Sequence, residues 1–190
     1  MTDKEYVNVA KEFLTVSNFY EYGGWGQEMT MAVLNSLAER YPKNKPVNPA
    51  NVGKWGFDCI CWLKGMLAGV NIHRHINDYN TFKKACPIGD CTNVEFMNML
   101  YDCVDPKDAK AGYGLATKDH AALALGNGQW MDANRTAGQD GIAIHTTGIE
   151  NFTKCGKIPG ITYTAPESDD VKDFLSWLYY CWKERKNLYE

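Results

Sequence analysis

The chain has 190 residues, 45% of them hydrophobic and 23% charged, with a net charge of −3. Such a composition excludes a mainly disordered chain, and the acidic balance excludes a surface built to neutralise nucleic-acid phosphates. No apolar run approaches the roughly 18 residues that a membrane-spanning helix needs, so no membrane insertion is expected.

The first residues, MTDKEYVNVAKEFL, hold no apolar core and no small-residue cleavage site, so no signal peptide is read. Residues 3–16 instead carry Tyr6, Val7, Ala10, Phe13 and Leu14 at helical spacing. YEYGGWGQ (20–27) has three glycines in eight residues and is read as a shaped aromatic loop. Helical period returns over 28–40 through Met31, Leu34, Leu37 and Ala38 and stops at Tyr41-Pro42. After a polar loop, DCICWLKGMLA (58–68) reads as a helix apolar on nearly all sides, hence buried. Residues 69–92 read as irregular and 93–103 as a further helix.

From 112 onward the period becomes extended. HAALALG (120–126), the turn Gly-Asn-Gly (126–128) and QWMDANR (129–135) form a hairpin signature. GIAIHTT (141–147) and GITYT (160–164) continue as strands. Helices first and an antiparallel sheet second make the class α+β. Residues 1–164 read as one domain and 165–190 as a C-terminal helical extension. In that extension Val171, Phe174, Leu175, Leu178, Cys181 and Trp182 form one apolar face. This face suits docking on the domain or a homodimer.

Seven cysteines are an odd number, unlike a matched disulfide framework, so reduced thiols are expected. Cys59 alone stands where a buried helix begins. There the positive end of the helix dipole lowers a thiol's pKa, and the backbone N–H is free to bind an oxyanion. A small buried hydrophobe fits the same position. His120 opens the first strand of the hairpin, where a side chain can face a cleft. Asp132 lies twelve residues later on the return strand and can come alongside that imidazole. A solvent-facing Asp132, with Met131 and Ala133 turned to the core, is an equally good account of the alternation. His145, alternating with Ile142 and Ile144, is expected on the opposite, wetter face. His73 and His75 lack a CxxC partner, so a solvated loop and no metal site are expected.

GFDCICWLKG resembles the nucleophile motif of the NlpC-type cell-wall cysteine peptidases, in which Asp-Cys-Ser-Gly leads an apolar helix. DHAALALGNGQWMDA resembles that family's second motif, and YEYGG its aromatic-Gly-Gly motif. The three stand in family order over roughly residues 5–164. The resemblance implies a compact papain-like fold with N-terminal helices packed on a C-terminal antiparallel sheet. It implies Cys59 as nucleophile, His120 as general base and Asp132 as the third polar residue. Tyr20 takes the place of the tyrosine that lines the site and helps the oxyanion, and Asp58 fixes the turn into the helix. Gln27 is a further oxyanion or substrate contact, as in phage-encoded relatives that read Phe/Trp-Gly-Gln, and Trp25 of the same loop is a substrate contact. Plain loop packing is the alternative for Tyr20 and Gln27.

Two departures stand out. Ile60-Cys61 replaces the family's Ser-Gly, and the Gly there often lets helix and sheet approach closely. GYGLATKD before His120 is less apolar than usual. The implied reaction is amide hydrolysis through a thioester, with no cofactor and no metal. The implied partner is the peptidoglycan stem peptide, reached by an endolysin through holin release or by a tail-associated lysin through virion delivery. A papain-like deamidase or transglutaminase-type effector, and an inactive virion or binding protein of the same fold, are the alternatives.

Overall fold

The structure, a computed structural model, describes residues 1–164, so the expected C-terminal helix lies outside the described residues. The first helix, α1 (Asp3–Glu12), starts at a capping box in which Thr2 and Glu5 satisfy each other's backbone N–H groups. It buries Tyr6, Val7 and Ala10, and the helical period then tightens into a 3₁₀ turn at Phe13–Thr15. The Tyr6 hydroxyl donates to the Leu63 carbonyl (2.9 Å), which ties α1 to the third helix.

The glycine-rich segment 20–27 is more regular than expected. It joins β1 (Asn18–Tyr20) to β2 (Trp25–Glu28), and the two flank β3 (Trp55–Phe57) in a small mixed sheet of order β1-β3-β2. Gly26 has φ +91° and sits where the β2–β3 register shifts. Only a residue without Cβ bulges there at low cost, so a glycine-rich stretch still pairs. Between these strands lies α2 (Met31–Arg40), capped by Thr30.

From β3 the chain passes directly into α3 (Cys59–Leu67). The stretch read as irregular holds α4 (Tyr79–Ala85), which sequence periodicity missed because seven residues make barely two turns. α5 (Asn93–Met99) ends before the expected boundary. Leu100 turns extended and Tyr101–Val104 forms β4 instead of a last helical turn.

A second sheet follows, built of β4, β5 (Gly114–Ala116), β6 (Ala121–Gly126), β7 (Gln129–Thr136), β8 (Gln139–His145) and β9 (Lys154–Lys157). Its order is β4-β9-β5-β6-β7-β8, and every neighbouring pair is antiparallel. The class is therefore α+β, but the first half carries a small mixed sheet of its own, whose β1 lies against β8 of the second sheet. GITYT is not a strand, since Thr162 forms only an isolated bridge to Thr2. The β6–β7 turn places Asn127 at φ 53° and Gly128 at φ 73°. These are the two positive angles that a two-residue hairpin turn of matching twist requires.

β6 is covered on both faces, which explains its unbroken apolar run. Ala121 and Leu123 join a core with α1 and α3, while Ala122 and Ala124 join a second cluster with Leu115, Phe152 and Cys155. Helix and sheet approach closely at Gly65, one helical turn after Cys61. A Cβ on Gly65 would stand 2.3 Å from the Trp25 carbonyl oxygen. Gly65→Ala is therefore expected to destabilise the fold by about 1–3 kcal/mol, although alanine is the better helix former. Urea denaturation measures this, and a stabilised variant would contradict the packing.

Candidate active site

The junction of β3 and α3 is held by one buried carboxylate. Asp58 Oδ1 accepts from the Cys61 N–H (2.6 Å) and Oδ2 from the Gly23 N–H (2.8 Å). The Asp58 N–H in turn donates to the Gly24 carbonyl (2.8 Å). The aromatic-glycine loop and the helix start are thus one unit. Gly24 also permits close contact with β3, because a Cβ there would meet the Gly56 oxygen at 2.6 Å. Burial raises the Asp58 carboxyl above its ordinary pKa, while the two backbone N–H bonds and Lys64 act to lower it. Asp58→Ala removes the cap and strands two donors. The expected loss is about 2 kcal/mol of stability, read as a lower urea midpoint.

Cys59 is the first residue of α3 and is 6% exposed. In the first turn of a helix the backbone N–H groups lack intrahelical acceptors. Asp58 takes that of Cys61, and that of Cys59 has no acceptor among the described residues. The residue lies in a cleft of about 500 Å³ whose walls include Tyr20, Tyr22, Tyr41, Asn93 and Lys118. Tyr20 ends β1. Burial first, then the nearby charges of Cys59 and Asp58, hold its phenol protonated far above the ordinary tyrosine range. Its hydroxyl is therefore a donor at any physiological pH. Arg135 fixes the residue by donating to the Tyr20 carbonyl and lying over the ring, 5.6 Å from the centroid.

His120 immediately precedes β6. The β6–β7 register, with Leu123 opposite Met131, places His120 and Asp132 on one face of the hairpin. His120 Nε2 lies 2.7 Å from Asp132 Oδ2, which leaves Nδ1 for the thiol. Burial pulls the imidazole pKa down, but the bond to Asp132, together with hydrogen bonding and charge from Cys59, outweighs it. The result is pushed up to about 9. Cys59, His120 and Asp132 are thus brought together. Met131 and Ala133 face the α1–α3 core as the alternation requires, but Asp132, on the opposite side of β7, is 1% exposed, which overturns the solvent-facing account of it.

Asn93 and Gln139 escaped sequence reasoning, and the sequence predicts His145 elsewhere. Asn93, the first residue of α5, places its amide against the Cys59 sulfur, with Oδ1 at 3.7 Å and Nδ2 at 3.8 Å. The Thr92–Glu95 capping box marks the helix start but not the wall it faces. Gln139 Nε2 donates to Asp132 Oδ1 (2.9 Å), and His145 Nε2 reaches the same oxygen at 2.8 Å. His145 does lie opposite Ile142 and Ile144, but the face it joins is not the wetter one. That face holds buried Asp132, whereas Ile144 is 41% exposed. Burial raises the Asp132 carboxyl, but the three hydrogen-bond donors and the His120 charge outweigh it and hold the group below the ordinary aspartate range.

Two expected contacts are not in the cleft. Gln27 is buried and spends Oε1 on the Trp25 N–H (2.8 Å). Trp25 donates its indole N–H to the Ile76 carbonyl (2.7 Å) and stacks on Phe82. Both residues line a separate groove with Leu37, Arg40 and Tyr79. The bulge at Gly26 aligns this strand with β3, so its side chains serve packing rather than the oxyanion. Ile60 and Cys61 line the cleft beside Cys59. Burial and the Asp58 charge keep the Cys61 thiol protonated. His75 stacks on Trp55 at 3.8 Å, and no cluster of metal-ligating side chains occurs among the described residues.

The chain matches no protein-family model, and no curated protein or solved structure is significantly similar to it. The functional reading therefore stands on the geometry and on the three sequence motifs. Among the described residues, no helix is long and apolar enough to cross a membrane.

Proposed function

We propose that this chain is a cysteine hydrolase of the NlpC type, with a papain-like arrangement of α3 against the sheet, that cleaves an amide bond of the peptidoglycan stem peptide. The observation that carries this reading is the convergence of three features. A thiol stands at a buried helix N-terminus, an imidazole pushed up to about 9 faces it, and a buried carboxylate holds the far ring nitrogen. A residue kept only for packing needs none of these. The Trp-Gly-Gln sequence resembles the motif of phage-encoded members and supports reading the chain as a lysin.

In the proposed reaction the Cys59 sulfur attacks the amide carbonyl carbon and the carbonyl electron pair moves to oxygen. The Cys59 N–H and the Tyr20 hydroxyl receive that oxyanion, and the Asn93 amide offers a further donor beside the sulfur. His120 gives its Nδ1 proton to the amide nitrogen as the C–N bond breaks, which leaves a thioester and a free amine. Water then attacks the thioester as His120 takes its proton. The carboxylic acid leaves and the thiolate–imidazolium pair returns.

The test is digestion of purified Gram-negative and Gram-positive peptidoglycan by the wild-type chain and by Cys59→Ala, with new termini identified by mass spectrometry. Fragments made by the wild type alone are the expected result, and they name the bond. A folded wild type that releases no fragment from any wall overturns the proposal.

A further inference from the structure

Asp132 is the one carboxylate on His120 among the described residues, yet it serves two imidazoles. Its Oδ2 takes His120 from the β6 side, and its Oδ1 takes His145 from the β8 side. The β7–β8 register sets this up, with Asp132 opposite Ala143 and Trp130 opposite His145, so that His145 lies diagonally across from the carboxylate on the same face. His145 is fixed rather than loosely exposed. Its ring stacks on Trp130 at 4.0 Å with an interplanar angle of 22°, and the Trp130 indole N–H is anchored on the Thr147 carbonyl (2.9 Å).

We infer that His145 is a positioning residue that acts through Asp132: it competes with His120 for the carboxylate and so keeps the His120 imidazolium a stronger acid than an unshared aspartate would. This rests on the reading of Cys59, His120 and Asp132 as the reacting set. A carboxylate that already accepts a second imidazole N–H and an amide N–H has less charge to offer the first imidazole. The consequence is chemical. In the acylation step His120 must release a proton to a leaving amine, and an imidazolium held too firmly by its aspartate does so slowly.

Other charges do not account for this coupling. The elements packed most heavily on β8 are β7, β1, β3 and the 13–15 turn. β7 brings Asp132 and Arg135, and β1 brings Tyr20. β3 and the turn bring no titratable side chain, and Asp140 is β8's own charge. Arg135 is already engaged by the Tyr20 carbonyl and by Asp140.

The competition is reciprocal, so each imidazole reports on the other. The experiment is an NMR titration of the full chain carrying ¹⁵N-labelled histidine, as wild type, His145→Phe, His145→Gln and His120→Phe. Phenylalanine keeps the stack on Trp130 and removes the donor. Glutamine keeps a donor and cannot take a proton.

In His145→Phe the His120 midpoint is expected to rise by about one pH unit, the scale of one charge-assisted hydrogen bond. On peptidoglycan, kcat is expected to fall several-fold with KM unchanged. In His145→Gln both return toward wild type. In His120→Phe, which removes the other donor, the His145 Nε2 proton is expected to move downfield as its bond to Asp132 tightens, a result that does not depend on His145→Phe folding. A purely structural His145 predicts an unmoved His120 midpoint, and loss of alignment predicts a lowered one. Either outcome, or an unmoved His145 Nε2 proton in His120→Phe, overturns the inference. The midpoints need no substrate, so a failure of the wall digest counts against the proposed reaction alone.

Discussion

Cys59→Ala is expected to lower the rate of wall digestion by roughly 10⁴-fold or more while leaving the fold intact. The side chain is small and nearly buried, and the Asn93 amide lies against its sulfur at 3.7 and 3.8 Å. Removing one sulfur there costs little packing. His120→Ala is expected to lose about as much activity, and the double variant no more than either single one. A nucleophile and its base act as a unit, and the residual rate belongs to the oxyanion donors and to binding. Initial rates of fragment release by the three variants give the comparison. Losses that multiply would mean that Cys59 and His120 work independently, which the coupling of the two groups denies.

Asp132→Asn is expected to cost both activity and stability. The carboxylate is 1% exposed and accepts from His120, Gln139 and His145. An asparagine has one acceptor oxygen, so it turns an N–H toward one of these donors. Breaking a buried, charge-assisted set of this kind costs about 3–5 kcal/mol. A base left with the wrong tautomer costs roughly 10⁴-fold in kcat.

The pH dependence of the stability loss follows from the direction of each shift. The folded His120 imidazole titrates at about 9, above its unfolded value near 6.5. Its contribution is therefore fully present below about pH 6.5 and is lost as the pH rises through about 9. Asp132 is shifted the other way, so its contribution is present above its unfolded value near 3.9 and is lost as the pH falls through its lowered folded value. The gap in stability between wild type and Asp132→Asn is thus expected to be wide at pH 7 and narrower at pH 10. Urea denaturation at the two values measures it, and a gap that widens with pH would contradict the assignment of His120 as Asp132's charged partner.

Much of the site was legible because local rules place it. An Asp before a run apolar on all sides marks a capped, buried helix, and the structure puts the Asp58 cap and Cys59 there. A Gly-Asn-Gly turn between two extended runs sets a register, and that register brings His120 to Asp132. Short or interrupted elements were not legible. α4 is too brief to show a period, and β2 hides behind glycines that make a bulge. β9 reads as KCGK, with one apolar residue to alternate. Trp25 and Gln27 carried the signature of a site loop, yet they are turned into packing by pairing with β3 and by contact with Phe82.

The sequence by itself determined the α+β class, the helix that carries Cys59 and the hairpin that carries both His120 and Asp132. Each depends on contacts between residues close along the chain. Only the tertiary structure decided that Asn93 walls the thiol, that Tyr20 lines the cleft while Gln27 does not, and that His145 and Gln139 share the carboxylate of His120. Those outcomes depend on which strand lies beside which and on which face each turns. Burial on both sides of a sheet removes the alternation from which a sequence could tell the faces apart.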